Sequence, residues 1–249
     1  KASLVPLFAG IPLRTGFVGE IRRGLLNDAR PLFKSRYPLM VERFALLAEK
    51  PGVPLPHPVP SPSLSVPDHA RRASLARLGL DPRRPVAALC PGAEYGPAKR
   101  WPARHFADLA AKLAAEFEVW LIGSPKDQAI GDEIRAMSKD ACLNLCGKTT
   151  LEDAIDLLAS AVLVVTNDSG LMHVAAALGR PVIALYGSSS PGFTPPLSDQ
   201  ARVLKLDLPC SPCFKRECPL GHFNCMNHLM PDQVFASLRD LFPAPAIQP

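Results

Sequence analysis

The chain has 249 residues, a length that allows one large or two modest domains with a buried core. Apolar residues make up 47% and charged residues 20%, so the composition is that of a folded protein rather than a disordered one. The net charge of +5 suits anionic ligands or lipid headgroups, whereas the 6% of aromatic residues and the lack of a basic stretch interleaved with them argue against nucleic-acid binding.

Cysteine content and apolar runs indicate the compartment. The seven cysteines are an odd number, so they cannot all pair in disulfides, and a reducing compartment is expected. No uncharged apolar run approaches the roughly 20 residues of a spanning helix, and the chain opens without a signal-peptide pattern. These features disfavour secretion and membrane spanning.

The first quarter of the chain ends in a helix and a linker. Residues 37–50 carry apolar side chains at helical spacing, among them Met40 and Phe44, which predicts a helix. Residues 51–68 contain seven prolines, which exclude a helix and disfavour a central strand, so this stretch is interpreted as an extended linker. We therefore expect a boundary near residue 65.

From residue 85 onward, short apolar runs alternate with amphipathic helical stretches. This order is typical of a parallel sheet wound by right-handed crossovers, so the sequence predicts a doubly wound α/β domain. Such sheets bind ligands beyond the carboxyl ends of their strands, in the loops that lead into the helices. The apolar runs occupy residues 85–90, 119–123, 142–147, 162–166 and 181–187.

A β-branched run and an alanine-rich helix are joined by the small polar residues TNDSG. The pattern places Asp168 or Ser169 at the N-cap of the helix, and Gly170 permits a close approach. The unpaired N–H groups and the dipole of such a helix form an anion site suited to a pyrophosphate. A plain helix cap is the alternative for Asp168 and Ser169, and an ordinary partly buried histidine is the alternative for His173.

The loop PGAEYGPAKRWP follows the first of these strands and carries Lys99 and Arg100, with Pro102 expected at the first position of a helix. A lysine there can neutralise a phosphate, and a solvated lysine is the alternative. The sequence has no G-x-G-x-x-G after a strand, no P-loop motif and no G-x-S-x-G, so a nicotinamide dehydrogenase, a P-loop NTPase and a serine hydrolase are not supported. The GKTT at residues 147–150 is interpreted as a loop with a helix cap.

Four cysteines lie close together near the end of the chain, with spacings C-x2-C, x4 and x6 and with His222 and His228 nearby. This set is chemically adequate for a tetrahedral structural zinc ion, and reduced structural cysteines are the alternative. The clustered residues are Cys210, Cys213, Cys218 and Cys225. The remaining three, on or beside predicted strands, are expected to be buried small hydrophobic residues: Cys90, Cys142 and Cys146.

Three segments taken together resemble the ADP-heptose:lipopolysaccharide heptosyltransferases, glycosyltransferase family 9. They are CPGAEYGPAKRWPARHFADLA, TNDSGLMHVAAALGRPVIALYGSSSP and PCSPCFKRECPLGHFNCM, and the likeness extends over essentially the whole chain. The resemblance implies a GT-B type α/β fold with two Rossmann-like domains. It implies inverting transfer of L-glycero-D-manno-heptose from ADP-heptose to a heptosyl-Kdo2-lipid A acceptor, by a cytoplasmic enzyme in peripheral contact with the inner membrane. It implies no metal for activity.

The resemblance also implies roles for particular residues. By position, Lys99 matches the family's donor-phosphate lysine, and the donor-binding segment matches Asp168, Ser169, Gly170 and His173. The main-chain N–H groups of Ser169 and Gly170 would hold the pyrophosphate, and Asp168 would orient the loop or contact the heptose. The family's ribose-binding carboxylate follows a strand ending in LIG. No glutamate stands at the usual place here, which leaves Asp127 as a weak substitute.

The family's proposed general base is an aspartate in an amino-terminal domain, upstream of the residues that match here. Residues 1–65 are therefore expected to be the tail of an incomplete acceptor-binding domain plus the linker, residues 66–249 the donor-binding domain, and this chain inactive in transfer. The alternatives are a non-catalytic nucleotide-binding fragment, another heptosyltransferase of the same family, and a zinc-binding interaction domain that rests on the cysteines alone.

Overall fold

A computed structural model describes residues 2–19, 22, 24–56 and 58–241. The chain divides into two compact units, one comprising Lys1–Pro60 with Gly192–Pro195 and the other Ser61–Pro191 with Pro196–Pro249. The expected assignment of residues 1–65 to acceptor binding and of residues 66–249 to donor binding stays a prediction.

The described residues of the first unit form two helices and a parallel pair of short strands. Arg30 joins the strands to the end of the second helix, because its guanidinium pairs with Asp28 and donates to the carbonyls of Leu46, at 2.5 Å, and Glu49, at 2.6 Å. The helix predicted over residues 37–50 is confirmed, and it begins later because Pro38 disfavours helical backbone at the residue before it. The elements are α1 (Leu4–Phe8), β1 (Thr15–Phe17), β2 (Asp28–Arg30) and α2 (Met40–Ala48).

The second unit is built on a six-stranded sheet in which all neighbouring strands are parallel, so the predicted doubly wound architecture is confirmed. The strands are β3 (Val86–Cys90), β4 (Glu118–Leu121), β5 (Leu143–Asn144), β6 (Ala161–Asn167), β7 (Val182–Tyr186) and β8 (Ala201–Lys205). Their order across the sheet is β5-β4-β3-β6-β7-β8, which places β3 and β6 side by side at the centre.

Helices cover both faces of this sheet, and β3 supplies side chains to both cores. Ala87 and Leu89 pack in one cluster with the helices on one face of the sheet, whereas Val86, Ala88 and Cys90 pack in the other with the helices on the opposite face. This alternation is the period of two expected of a strand buried on both sides. The helices are α3 (Asp68–Arg77), α4 (Ala103–Leu113), α5 (Gln128–Met137), α6 (Leu151–Ser160), α7 (Gly170–Ala177), α8 (Asn224–Asn227) and α9 (Pro231–Leu241).

Two details of the sequence interpretation are corrected. Pro102 is the N-cap of α4 rather than its first residue, with ψ of 142° and Ala103 as the first helical residue. Strand β8 was not predicted, because Arg202 and Lys205 interrupt its apolar pattern, as charged residues do on edge strands. Within the described residues, no helix is both long and apolar enough to cross a membrane.

The prediction for the three cysteines near strands is confirmed. Cys90, Cys142 and Cys146 are buried, and burial raises the pKa of each thiol, that of Cys146 to about 12. These thiols are therefore protonated at neutral pH and act as small apolar side chains.

Candidate functional site

A cavity of about 420 Å³ lies at the carboxyl ends of the central strands. The loops after β3, β4 and β6 meet there with the loop before α6, because the carboxyl ends of parallel strands share one edge of the sheet. This is the edge at which the sequence predicted the ligand site. The cavity is lined by residues 92–94, 123–125, 149–151 and 169–171, together with Asp127, Ala154 and Val174.

The start of α7 faces this cavity. Ser169 is the N-cap, in extended conformation, and its side chain makes no capping hydrogen bond. Beside Gly170 the space is open, since an added Cβ would meet no heavy atom within 4 Å. The first turn of a helix has N–H groups without intrahelical partners, so this end can receive an anion.

Asp168 does not cap the helix; it pairs with Lys99. The Lys99 Nζ atom lies 2.6 Å from Asp168 Oδ2, and it also lies 5.3 Å from the centre of the Tyr95 ring. Lys99 ends a short 3-10 turn, Pro97–Lys99, in the loop after β3. The structure thus brings together two residues that the sequence assigned to one ligand from separate loops.

Asn167, the last residue of β6, holds both ends of the Lys99 loop. Its side chain is fully buried; Oδ1 accepts a hydrogen bond from the Trp101 backbone N–H at 3.0 Å, and Nδ2 donates to the Pro91 carbonyl at 2.8 Å. This role of Asn167 is not among those predicted from the sequence. The available signal was an amide at the end of an otherwise apolar strand, where an unpaired polar group would be costly.

His173 lies one turn into α7, exposed and outside the residues that line the cavity. Desolvation by the surrounding protein lowers the pKa of its imidazole; the Asp168 carboxylate opposes this effect and the Lys99 ammonium adds to it. The charges of Lys99 and Asp168 therefore both act on the pKa of His173.

Asp127 lines the cavity, but part of its carboxylate has a structural role. Its Oδ2 accepts hydrogen bonds from the Ser124 backbone N–H, at 2.9 Å, and from the Ser124 hydroxyl, at 2.7 Å. A Cβ at position 92 would lie 2.4 Å from this oxygen, so Gly92 is required for the close packing. The ribose role expected for Asp127 stays a prediction.

The GKTT loop caps a helix, as predicted, and also lines the cavity, which was not predicted. Thr150 caps α6 as predicted, with its hydroxyl accepting from the Asp153 N–H at 3.2 Å. Residues 149–151 nevertheless also line the cavity, together with the apolar residues Leu171 and Val174 of α7. The loop could have been identified by its position after a predicted strand.

The four clustered cysteines surround a second, small cavity of about 20 Å³, which Ser188 and His222 also line. All four are free thiols. Backbone N–H groups, that of Phe223 first, lower the pKa of Cys218, whereas burial and the three neighbouring thiols raise that of Cys225. Across the part of the chain that the structure describes, no group of three or more Cys, His, Asp or Glu is placed to hold a metal ion. Zinc at this cluster stays a prediction.

Fold and site together define a doubly wound α/β protein whose cavity, helix N-terminus and lysine converge at one edge of the sheet. Such an edge suits a ligand with an apolar part and an anionic part.

The chain belongs to glycosyltransferase family 9 (heptosyltransferase), whose family model matches residues 1–224. It is 47% identical to lipopolysaccharide heptosyltransferase 2 of Salmonella typhimurium and to that of Escherichia coli K12, in each case over 97% of this chain and 72% of the relative. The solved structure of the E. coli ADP-heptose lps heptosyltransferase II matches with a TM-score of 0.86 and 46% identity, over 96% of this chain and 72% of that one. The predicted GT-B type α/β fold class is confirmed.

Proposed function

We propose that this protein is an inverting glycosyltransferase that moves L-glycero-D-manno-heptose from ADP-heptose to the heptosyl-Kdo2-lipid A inner core of lipopolysaccharide; the inactivity in transfer expected of these 249 residues stays a prediction. The observation that carries the proposal is the convergence of the Lys99 ammonium, the open start of α7 and the 420 Å³ cavity at one sheet edge. The names of the matched relatives support the heptose and the lipopolysaccharide acceptor.

ADP occupies this site in our proposal. Leu171, Val174 and Ala154 give the cavity lining an apolar part, which suits the flat face of adenine. The diphosphate lies at the N–H groups of Ser169 and Gly170, where the helix dipole favours negative charge, with Lys99 as its cation. Asp127 is the candidate for the ribose hydroxyls.

The transfer step follows from this placement. The acceptor hydroxyl oxygen bonds to the anomeric carbon of the heptose on the face opposite ADP, and the bond from that carbon to the phosphate oxygen breaks. The electron pair of the broken bond stays on ADP, and the hydroxyl proton passes to a base to which we assign no residue of this chain. Lys99 and the α7 N–H groups stabilise the charge that grows on the departing diphosphate.

The acceptor is a lipid-linked sugar, so we propose that the protein works at the cytoplasmic face of the inner membrane in peripheral contact with it. The net charge of +5 supports this placement, since anionic headgroups attract a basic protein. We include no metal in the transfer step; zinc at the cysteine cluster is a separate structural proposal, which elemental analysis of the purified chain tests.

The alternative, a nucleotide-binding protein without transferase activity, is not favoured by the comparisons, because the matched relatives are named heptosyltransferases. Calorimetry with ADP and UDP tests the donor assignment: tighter binding of ADP is expected, and equal affinities would contradict it. Incubation with ADP-heptose and heptosyl-Kdo2-lipid A then separates the candidates, since only a transferase releases ADP in step with extension of the acceptor. Lys99→Ala serves as the variant with an impaired donor site, and Lys112→Ala, an exposed lysine of α4, as its matched control.

A further inference from the structure

The short turn that presents Lys99 depends on a second loop, residues 210–225, which contains the clustered cysteines. Ala98 is the residue just before Lys99, and its backbone N–H donates to the Arg216 carbonyl at 3.0 Å. In the three-residue 3-10 turn Pro97 has no N–H and the Lys99 N–H donates to the Gly96 carbonyl at 3.2 Å, so the Ala98 N–H is the one that the second loop satisfies.

Gly96 lets the two loops approach at backbone contact. It adopts φ of 156° at the start of the turn, and an added Cβ would lie 2.5 Å from the Arg216 carbonyl oxygen. Any other residue at this position would push the Arg216 backbone away, so the juxtaposition of the loops is built into the sequence.

The side chains of Arg216 and Tyr95 also join the two loops. Arg216 Nε donates to the Tyr95 carbonyl at 2.7 Å, and its guanidinium lies 5.6 Å from the centre of the Tyr95 ring. The Tyr95 hydroxyl in turn donates to the Phe214 carbonyl at 2.9 Å. The Lys99 ammonium lies near the same ring, so Tyr95 contacts both cations.

The 210–225 loop is itself anchored to the sheet. The Phe214 N–H donates to the carbonyl of Ser188, just beyond the end of β7, at 2.6 Å. Ala98 and the four cysteines line the same small cavity, so the loop and the Lys99 turn also lie close together there. A continuous set of contacts thus runs from β7 through Phe214 and Tyr95 to Lys99.

We propose that Arg216 is a positioning residue for the donor diphosphate: it fixes the turn that places the Lys99 ammonium, without touching the nucleotide itself. The inference rests on the proposed function, because it takes ADP as the ligand of Lys99. It assigns a role in donor recognition to a loop that contributes no residue to the main cavity.

The test compares ADP with AMP, because only ADP carries the distal phosphate that Lys99 is placed to bind. Arg216→Ala is expected to weaken the binding of ADP about 2- to 10-fold, the range of one ordinary hydrogen bond, and to leave the binding of AMP unchanged. Arg216→Lys keeps the charge but not the planar donor, so it is expected to restore little of the affinity. Lys215→Ala removes an equal charge from the neighbouring exposed position and is expected to leave the ADP-to-AMP ratio intact.

A double-mutant cycle with Lys99→Ala decides between positioning and direct contact. Arg216→Ala is expected to add no further loss of ADP affinity in the Lys99→Ala background, since the lysine that it positions is gone. A loss that persists there would overturn positioning in favour of direct contact with the nucleotide, and an equal loss in Lys215→Ala would overturn it in favour of general electrostatics. If wild-type protein binds no ADP, the proposed function fails; if Lys99→Ala weakens ADP and Arg216→Ala does not, only this inference fails.

Discussion

The Lys99 ammonium lies 2.6 Å from Oδ2 of Asp168, and the carboxylate is the more deeply buried partner, with 5% of its side chain exposed against 18% for the lysine. The cation proposed to bind the donor diphosphate is therefore already engaged by an anion. A diphosphate entering the site must share Lys99 with Asp168 or draw it away, so this pair sets part of the affinity for the donor.

Lys99→Ala is expected to weaken ADP binding by about 1 to 3 kcal/mol and AMP binding by much less, because AMP lacks the distal phosphate. Calorimetric titration of both nucleotides measures the difference. Lys112→Ala, which removes an exposed ion pair with Asp232 of α9, is the control and should leave both affinities unchanged. An unaltered ADP dissociation constant in Lys99→Ala would show that Lys99 does not bind the diphosphate.

Asp168→Asn is expected to strengthen the binding of ADP, the opposite of the effect of Lys99→Ala. The substitution removes a negative charge that both holds Lys99 and repels the diphosphate, so ADP should bind tighter by about 1 kcal/mol. Heptose transfer should nonetheless fall if Asp168 orients the loop or contacts the sugar. Parallel measurement of ADP affinity and turnover, with the exposed Asp199→Asn as control, checks both. Weaker binding of ADP by Asp168→Asn would argue that the carboxylate is needed to hold Lys99 in place.

Asn167→Ala is expected to cost about 1 to 3 kcal/mol of unfolding free energy, because the buried Trp101 N–H and Pro91 carbonyl lose their partners. Urea unfolding measures this loss. ADP affinity should fall as well, because the substitution loosens the Lys99 loop.

A matched control for Asn167 is Asn144→Ala. Asn144 is equally buried, but it bonds to the α5 region through Gln128 and Asp132. A comparable loss of stability with unchanged ADP affinity is the expected result. If both variants lose ADP affinity in proportion to stability, the effect of Asn167 is not specific to the loop.

Protein stability is expected to fall in mild acid, partly through His105. Burial lowers the pKa of this imidazole, and the Arg104 guanidinium adds to the effect, while Asp108 opposes it. The folded state therefore binds a proton less readily than the unfolded state. The stability contribution is complete above the ordinary value of 6.5 and is lost as the pH falls through the lowered pKa. Urea unfolding from about pH 8 to pH 5 measures the slope, which His105→Gln should reduce and the exposed His69→Gln should not.

Much of the fold could be predicted because local patterns determine it. The apolar runs around Leu89, Leu121, Val165 and Ile183 are strands, and the polar turn before Gly170 starts a helix, as expected. The half-buried strand β8 could not be predicted, because this edge strand has no continuous apolar run. Lys99 and Asp168 could be assigned to one edge of the sheet, since each follows a strand.

Their ion pair could not be predicted in the same way, because it depends on β3 and β6 being neighbours, and strand order is a property of tertiary packing. The role of Asn167 has the same origin. The contribution of residues 149–151 was missed because a helix cap accounted for Thr150, and a side chain with one sufficient role gives no local sign of a second.

The adjacency of β3 and β6 also ties nucleotide binding to the cooperativity of unfolding. Lys99 and Asp168 are separated by 69 positions in the chain and follow β3 and β6, respectively. Any local unfolding that separates β3 from β6 therefore also separates Lys99 from Asp168. A ligand that binds only the closed form suppresses such openings by mass action. Bound ADP should therefore slow hydrogen exchange at the backbone amides of β3 and β6, including those far from the nucleotide, while leaving exchange at the β8 edge largely as it was.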